Sequence, residues 1–166
     1  MSSWIRGLIF LLLASFTAAP LCAQERTPLT TTIARSIKRI EPSWRYHYAW
    51  CTCPPTVPGQ VWRDIGTWER VNKQGQKDSV DVWIVKTSSA AESAGWMQRV
   101  GRGGSQQACA SENFQLGDEG YLLKCPRTYK NILNYRKGRY IIQIRSDSQE
   151  LVERFAGYVM VRLPTS

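Results

Sequence analysis

The sequence predicts an α+β fold, a two-layer sandwich in which helices cover a mostly antiparallel sheet. Successive β-rich runs are joined by turns that are too short for the crossovers that parallel strands require. Segments with helical periodicity each have one apolar stripe, which must be buried against a face of the sheet. The predicted order is one helix, three strands, a second helix, three more strands and a last helix.

An internal similarity indicates that two hairpin–helix units lie side by side. Residues 81–96 and 140–155 each contain a β-rich run, a basic residue, a Ser/Thr/Asp cluster and a helical pattern that reaches an aromatic residue. The basic residues are Lys86 and Arg145. A strand followed by a helix produces the same match by composition alone, so a true structural repeat is one of two interpretations.

Residues 1–23 have the features of a signal peptide and are excluded from the fold. Arg6 precedes an apolar run at 8–13, and a small-residue cleavage site ends at Ala23. The run is too short for a membrane span, which needs about 20 residues. We expect cleavage near Ala23, export to the periplasm or the extracellular space, and one globular domain over residues 24–166.

The first predicted helix spans residues 30–40. Its apolar stripe consists of Ile33, Ile37 and Ile40. Its basic residues, which point away from that stripe, are Arg35, Lys38 and Arg39. A threonine within 30–32 is expected to cap the start. The helix is expected to end at Glu41, because the residue before a proline avoids the helical region.

Residues 44–53 show the alternation of a strand with one aromatic face. The aromatic positions are Trp44, Tyr46, Tyr48 and Trp50. Rings that recur with a period of two favour a strand. Such a face is either part of the core, where aromatic residues contribute most of the buried area, or an open platform for a ligand. Whether other residues cover these rings decides between the two interpretations.

The middle of the chain predicts two further strands and a helix. Residues 61–71 and 79–86 are β-rich and flank a turn. Ser89 and Glu92 have the spacing of a capping box, in which each residue satisfies a backbone N–H of the other. We expect the helix that follows to span residues 90–100.

The next part of the chain predicts a loop, a turn and a β-hairpin. Residues 101–110 are rich in glycine and polar residues and are expected to form the longest loop. Asp118 and Glu119 are interpreted as turn residues, although two adjacent carboxylates could also bind a cation or act as acid and base. The remaining predicted strands are 121–125, 129–136 and 139–145, the last two joined by a short hairpin turn at Lys137-Gly138.

The last predicted helix has the most complete set of sequence signals. Asp147 and Glu150 have capping-box spacing, and Ser148 is the alternative cap. Pro164 follows the end of the helix. The apolar stripe consists of Leu151, Val152, Phe155 and Val159.

The cysteines predict disulfide bonds. Of the five cysteines, Cys22 lies in the leader, where lipid attachment is the alternative to ordinary cleavage, although Leu21 stands where a small residue is expected. After export, an even number of cysteines favours disulfides. The candidates are Cys51, Cys53, Cys109 and Cys125. The first two either pair with each other or each pair with one distant partner. A zinc site is disfavoured because the C-x2-C spacing is missing, and we predict no metal and no cofactor.

Positive charge is concentrated in residues 120–146, which contain no Asp or Glu. The whole chain has 22 Lys and Arg against 13 Asp and Glu, a formal net charge of +9. This asymmetry favours an anionic partner, although a solvated cationic face is the alternative. The predicted binding surface, called here the basic hairpin surface, comprises Arg127, Lys130, Arg136, Lys137 and Arg139. After export, its expected partner is an anionic envelope polymer, a lipid head group or an acidic protein, and nucleic acid is disfavoured.

No catalytic motif stands out. His47 is the only histidine, so a Ser-His-Asp or Cys-His site would depend on it, and the sequence has no G-x-S-x-G pattern. We therefore expect a non-enzymatic binding or accessory domain. The alternatives are an inhibitor-like protein that presents the proline-rich, cysteine-bounded loop at 53–59, and an enzyme built on His47 or on Asp118 and Glu119.

Overall fold

The computed structural model describes residues 27–49, 57–101, 109–126 and 129–164. Within these ranges the helices are α1 (Leu29–Ile40), α2 (Ala90–Trp96) and α3 (Gln149–Met160), and a π-helical turn, Met97–Gly101, continues α2. The strands are β1 (Arg45–Ala49), β2 (Gln60–Val71), β3 (Lys77–Thr87), β4 (Ala110–Asn113), β5 (Glu119–Lys124), β6 (Asn131–Lys137) and β7 (Tyr140–Ser146). None of these helices is long and apolar enough to cross a membrane.

The strands of the described residues form one antiparallel sheet in the order β1-β2-β3-β7-β6-β5-β4. The predicted α+β class and antiparallel sheet are confirmed. β7 lies between β6 and β3, so its pairing with β3 joins the two halves of the chain, with Val82 opposite Ile144. β4 is not among the predicted strands, because all of its residues are exposed and it shows no apolar pattern.

One face of the sheet, called here the first face, contains the main core, against which α1 and α3 both pack. The predicted stripe of α3 is fully buried. The ring of Phe155 lies at the centre, with its centroid 5.1 Å from Trp44 and 5.5 Å from Trp68 in edge-on contacts. In α1, Ile33 and Ile37 are buried as predicted, but the prediction for Ile40 is wrong: it ends the helix and is exposed.

The opposite face of the sheet, called here the second face, is partly covered by the π-helical turn after α2. Met97 is buried against Tyr121, Leu123 and Ile132, whose positions alternate with those of first-face residues on the same strands. The predicted helix over 90–100 therefore changes from α to π geometry after Trp96. Because helical segments contact both faces, the two-layer sandwich is not confirmed.

Serine side chains cap α2 and α3. Ser89 and Glu92 form the predicted capping box at the start of α2. At α3, Ser148 is the cap and its Oγ accepts the N–H of Leu151 at 3.3 Å. Of the two caps considered for this helix, the serine is therefore confirmed and Asp147 is not the cap.

A buried aspartate supports the start of α1. The helix begins at Leu29, directly after Pro28, and no threonine side chain caps it, so the predicted cap is wrong. The Oδ2 atom of Asp64 on β2 accepts the Leu29 N–H at 2.7 Å. A carboxylate at this position also interacts favourably with the positive end of the helix dipole. The sequence gives no local signal for this contact, because the two residues are 35 positions apart.

The internal similarity does not place equivalent residues at equivalent positions in the sheet. Asp81 lies on the second face, where its Oδ1 accepts a hydrogen bond from Thr67 at 2.7 Å. The residue aligned with it, Tyr140, lies in the core of the first face. The helical segments that follow β3 and β7 also contact different faces. The quasi-repeat is therefore not confirmed.

Replacing Phe155 by alanine is expected to lower the free energy of unfolding by about 3–5 kcal/mol, because a fully buried ring at the centre of the core would leave a cavity. Urea denaturation measures this change. The matched control is Val161→Ala, at an exposed position just after α3, which should change stability by less than about 0.5 kcal/mol. An unshifted midpoint for the Phe155 variant would contradict the assignment of this core.

Candidate anion-binding surfaces

Arg136, a member of the basic hairpin surface, is held in ion pairs within the fold. Its Nη1 lies 2.9 Å from Asp118 Oδ2, and its Nε lies 3.3 Å from Glu119 Oε2. Asp118 Oδ2 also accepts the N–H of Gly138 at 2.8 Å. The side chain of Arg136 is only 19% exposed. Asp118 lies in a turn as predicted, but Glu119 is the first residue of β5 and not a turn residue. These contacts fasten the turn and the start of β5 to the hairpin, so this guanidinium is already neutralised by two carboxylates.

The other cations of the basic hairpin surface do not form one cluster. Lys137 is half-buried and Arg139 is exposed at the hairpin turn, where Gly138 has a φ of 54°. Lys130 is exposed at the opposite end of β6, and a seven-residue strand separates the two ends by about 20 Å. Arg127 lies outside the described residues. The structure therefore brings Lys137 and Arg139 together and places Lys130 elsewhere.

One of the predicted disulfides is present. Cys109 and Cys125 are bonded to each other and pack beside the small core around Met97. Cys51, Cys53 and most of the proline-rich loop lie outside the described residues. Among the residues that are described, no group of three or more His, Cys, Asp and Glu side chains is arranged to hold a metal ion.

His47 lies on the second face and its side chain is 62% exposed. Its Nε2 is 3.9 Å from Glu69 Oε2, and its cross-strand neighbour is Thr67. Thr67 donates its hydroxyl hydrogen to Asp81 rather than to the imidazole. In the described part of the chain, no serine, threonine or cysteine is hydrogen-bonded to His47, so the histidine has no nucleophile beside it there.

The rings of the aromatic face are covered to different degrees along β1 and the residue before it. Trp44 is 2% exposed and belongs to the core. Tyr46 is partly buried, with its ring centroid 4.8 Å from that of Trp68. Tyr48 is 37% exposed, and Trp50 lies outside the described residues. The core interpretation therefore applies to Trp44, while Tyr46 lines a groove.

This groove, called here the α1–β1 groove, runs between α1 and the strands β1 and β2 and has a volume of about 520 Å³. That volume is within the range of small-molecule sites, about 300–1,000 Å³. Apolar and aromatic side chains form its floor: Ala34, Ile37, Trp44, Tyr46 and Trp68. Ile37 belongs to the predicted stripe of α1, and Trp44 and Tyr46 belong to the aromatic face, for which the sequence allows either a core or a ligand platform.

Basic side chains form the rim of the α1–β1 groove. They are Arg35, Lys38, Arg39 and Arg45, and all of them are exposed. Lys38 Nζ donates to the carbonyl of Pro42 at 2.6 Å. Among the described residues, no carboxylate lies within 4.0 Å of the charged nitrogens of these side chains, and α1 itself contains no acidic residue. The rim is therefore a cationic surface without internal counter-ions.

The hydroxyl groups in the groove are hydrogen-bonded to one another. Tyr46 donates its hydroxyl hydrogen to Thr30 Oγ1 at 2.9 Å, and Thr31 Oγ1 lies 3.3 Å from the same phenolic oxygen. The indole N–H of Trp68 has no partner among the described residues. The floor thus offers apolar surface and few polar groups that are free to bind a ligand.

Glu41 fixes the end of the groove where α1 meets the rest of the core. Its carboxylate accepts hydrogen bonds from Trp44 Nε1 at 3.0 Å, Arg70 Nη1 at 2.9 Å and Tyr158 OH at 2.5 Å. Arg154 Nη1 lies 3.4 Å away. Burial raises the pKa of Glu41, but the hydrogen bonds from Tyr158 and Trp44 and the charges of Arg154 and Arg70 outweigh it, and the pKa is lowered. One carboxylate thus joins α1 to the strand residues and to α3.

A second polar cluster lies on the second face of the sheet and is self-contained. Asp81 accepts hydrogen bonds from Thr67 and Tyr129. The bond to Asp81, together with burial, raises the pKa of Tyr129 to about 12. The guanidinium of Arg145 lies 4.5 Å from the ring centroid of Trp83, and burial lowers its pKa although Asp81 opposes this. Because these groups satisfy one another, the cluster is typical of a structural network.

The sequence contains a signal for the groove that composition alone does not single out. Arg35, Lys38 and Arg39 lie on the side of the predicted helix away from its stripe, with no acid among them. Arg45 follows in the next strand. The longest acid-free basic stretch of the sequence is 120–146 instead. Such a stretch is defined by residues that are adjacent along the chain, not by residues that are close together in the fold.

No family model, no curated protein and no solved structure matches this chain.

Replacing Glu41 by glutamine is expected to lower the free energy of unfolding by about 1–3 kcal/mol at neutral pH, because hydrogen bonds to a charged acceptor are worth that much. The pKa of Glu41 is lower in the folded state, so its contribution is complete above the ordinary glutamate value of 4.5 and is lost as the pH falls through the folded-state pKa. Urea denaturation at neutral pH and below pH 4.5 measures the difference between the two proteins, which should shrink in acid.

The control for this experiment is Glu153→Gln, which removes an exposed carboxylate of α3. It should change stability by less than about 0.5 kcal/mol at neutral pH. A difference between the wild-type protein and the Glu41 variant that is equally large in acid and at neutral pH would contradict the ionic role of Glu41.

Proposed function

We propose that this chain is an exported, non-enzymatic binding domain that recognises an anionic partner through the α1–β1 groove. The observation that supports this most directly is the cationic rim around an apolar floor, with no described carboxylate paired to the rim. The candidate partners are an anionic envelope polymer, a lipid head group or an acidic protein surface. The signal-peptide features of residues 1–23 support a location in the periplasm or outside the cell, where nucleic acid is not a usual partner.

Electrostatics support an anion at the rim rather than elsewhere on the molecule. Like charges around one groove repel one another, and an anion bound among them removes part of that repulsion. Arginine is suited to this role because its planar guanidinium binds carboxylate or phosphate through two parallel hydrogen bonds. At the hairpin, by contrast, Arg136 already has Asp118 and Glu119 as partners. The α1–β1 groove is therefore our first candidate, and Lys137 with Arg139 is the second surface.

Two double variants with equal loss of charge separate the two surfaces. Arg35→Gln with Arg39→Gln removes two positive charges from the groove, and Lys137→Gln with Arg139→Gln removes two from the hairpin. We expect the groove variant to bind dextran sulfate at least about tenfold more weakly than the wild-type protein, which corresponds to about 1.4 kcal/mol. The hairpin variant should change the affinity by less than about threefold. Calorimetric titration of the mature protein measures both.

The outcomes distinguish a specific site from general charge. Binding should weaken steeply as the ionic strength rises, since the contacts are exposed and ionic. Equal losses in the two variants would mean that dextran sulfate responds only to net charge, and the groove would lose its support. A larger loss of affinity in the hairpin variant would identify the basic hairpin surface, and not the groove, as the binding site. No measurable binding at low salt would reject the proposal.

A further inference from the structure

We infer that the α1–β1 groove binds a single-chain anionic lipid, with its acyl chain on the apolar floor and its headgroup among Arg35, Lys38 and Arg39. This inference rests on the proposed function and names the ligand class of that same site. A site for such a lipid needs three properties together: an apolar surface, adjacent cations without counter-ions, and few free polar groups on the floor.

The floor is suited to a hydrocarbon chain. Ala34, Ile37, Trp44 and Trp68 line the floor, but each is at least nine-tenths buried, so the apolar surface open to a ligand is a narrow strip beside the partly buried ring of Tyr46. The alkyl stems of Arg35 and Arg39 extend this surface toward solvent, as long cationic side chains commonly do. Removing apolar surface from water is favourable in proportion to the area buried. A chain lying along α1 therefore gains binding free energy that a fully polar anion cannot obtain.

The rim is suited to a phosphate headgroup. Arg35, Lys38 and Arg39 are on adjacent turns of α1, and Arg45 begins the strand across the groove. Arg35 and Arg39, one turn apart on α1, can contact one phosphate together, whereas Arg45 has Glu69 as its cross-strand neighbour. Because Glu41, the nearest acid in sequence, is engaged with residues of the core, it does not neutralise this group of cations.

The hydroxyl side chains of the groove offer an extended peptide few free hydrogen-bond partners. An extended peptide brings one N–H and one C=O per residue, and each needs a hydrogen-bond partner once it is buried. The hydroxyls of Thr30, Thr31 and Tyr46 are bonded to each other instead. An acyl chain has no such requirement, so it can lie on this floor without leaving unpaired polar groups.

The test compares three probes that differ in one part each. Lauroyl lysophosphatidylglycerol has the acyl chain and the anionic headgroup, glycerophosphoglycerol has the headgroup alone, and lauroyl lysophosphatidylcholine has the chain with a zwitterionic headgroup. Calorimetric titration is done on the mature protein below the micellar concentration of each lipid. We expect the first probe to bind at least about tenfold more tightly than either of the others.

Two variants locate the binding. Arg35→Gln with Arg39→Gln should weaken lysophosphatidylglycerol at least about tenfold, with no loss of folding because both positions are exposed. Ala34→Leu adds side-chain volume at the floor and should weaken the lipid while dextran sulfate still binds. If Ala34→Leu does not fold, the comparison of the three probes on the wild-type protein still decides the question.

Several results would overturn the inference. Equal affinity for lysophosphatidylglycerol and glycerophosphoglycerol would mean that the chain is not bound, and equal affinity for the two lysolipids would mean that the anionic headgroup is not recognised. Tighter binding of a synthetic peptide of alternating glutamate and leucine would favour an acidic protein as the partner. In each case, retained and groove-dependent binding of dextran sulfate would leave the proposed function standing. Loss of that binding as well would reject both.

Discussion

The arrangement of α1, the aromatic strand and α3 depends on one carboxylate, that of Glu41. It accepts hydrogen bonds from Trp44 and Tyr158 and pairs with Arg70 and Arg154. Without these partners a half-buried carboxylate would be costly. With them, it fixes the last turn of α1 against β2 and α3. Arg70 strengthens the same junction, because its guanidinium also lies 4.5 Å from the ring centroid of Trp44.

This junction has a consequence for the groove beside it. Ordering the walls of a site on binding costs free energy and lowers the affinity. Walls that are already fixed before binding avoid this cost. Trp44 and α1 both line the groove, and both are held by Glu41. The rim cations lie on the exposed side of the same helix and take no part in the junction. The charged groups around Glu41 are thus paired with one another. The rim arginines are not part of these pairs and are exposed to solvent.

Local signals account for the parts of the fold that the sequence predicts well. The stripe and serine cap of α3 lie within one short segment, and so do Ser89 and Glu92 at α2. β4 has no such signal, because its residues are exposed on an edge strand. The start of α1 depends on Asp64, and the groove depends on α1 lying against β1 and β2. These are contacts between different elements of the fold, and no periodicity in a short window reports them.

The basic hairpin surface shows that the net charge of a surface depends on which residues are close together in the fold, not only on which are close in the sequence. The acid-free stretch begins at residue 120, immediately after Asp118 and Glu119. The antiparallel pairing of β5 with β6 then sets Glu119 directly opposite Arg136, so the acids just outside the stretch neutralise a cation inside it. On α1 the neighbours in space are apolar rings and other cations. An excess of positive charge therefore remains at the α1–β1 groove for a physical reason, because the fold brings no described carboxylate within 4.0 Å of its rim.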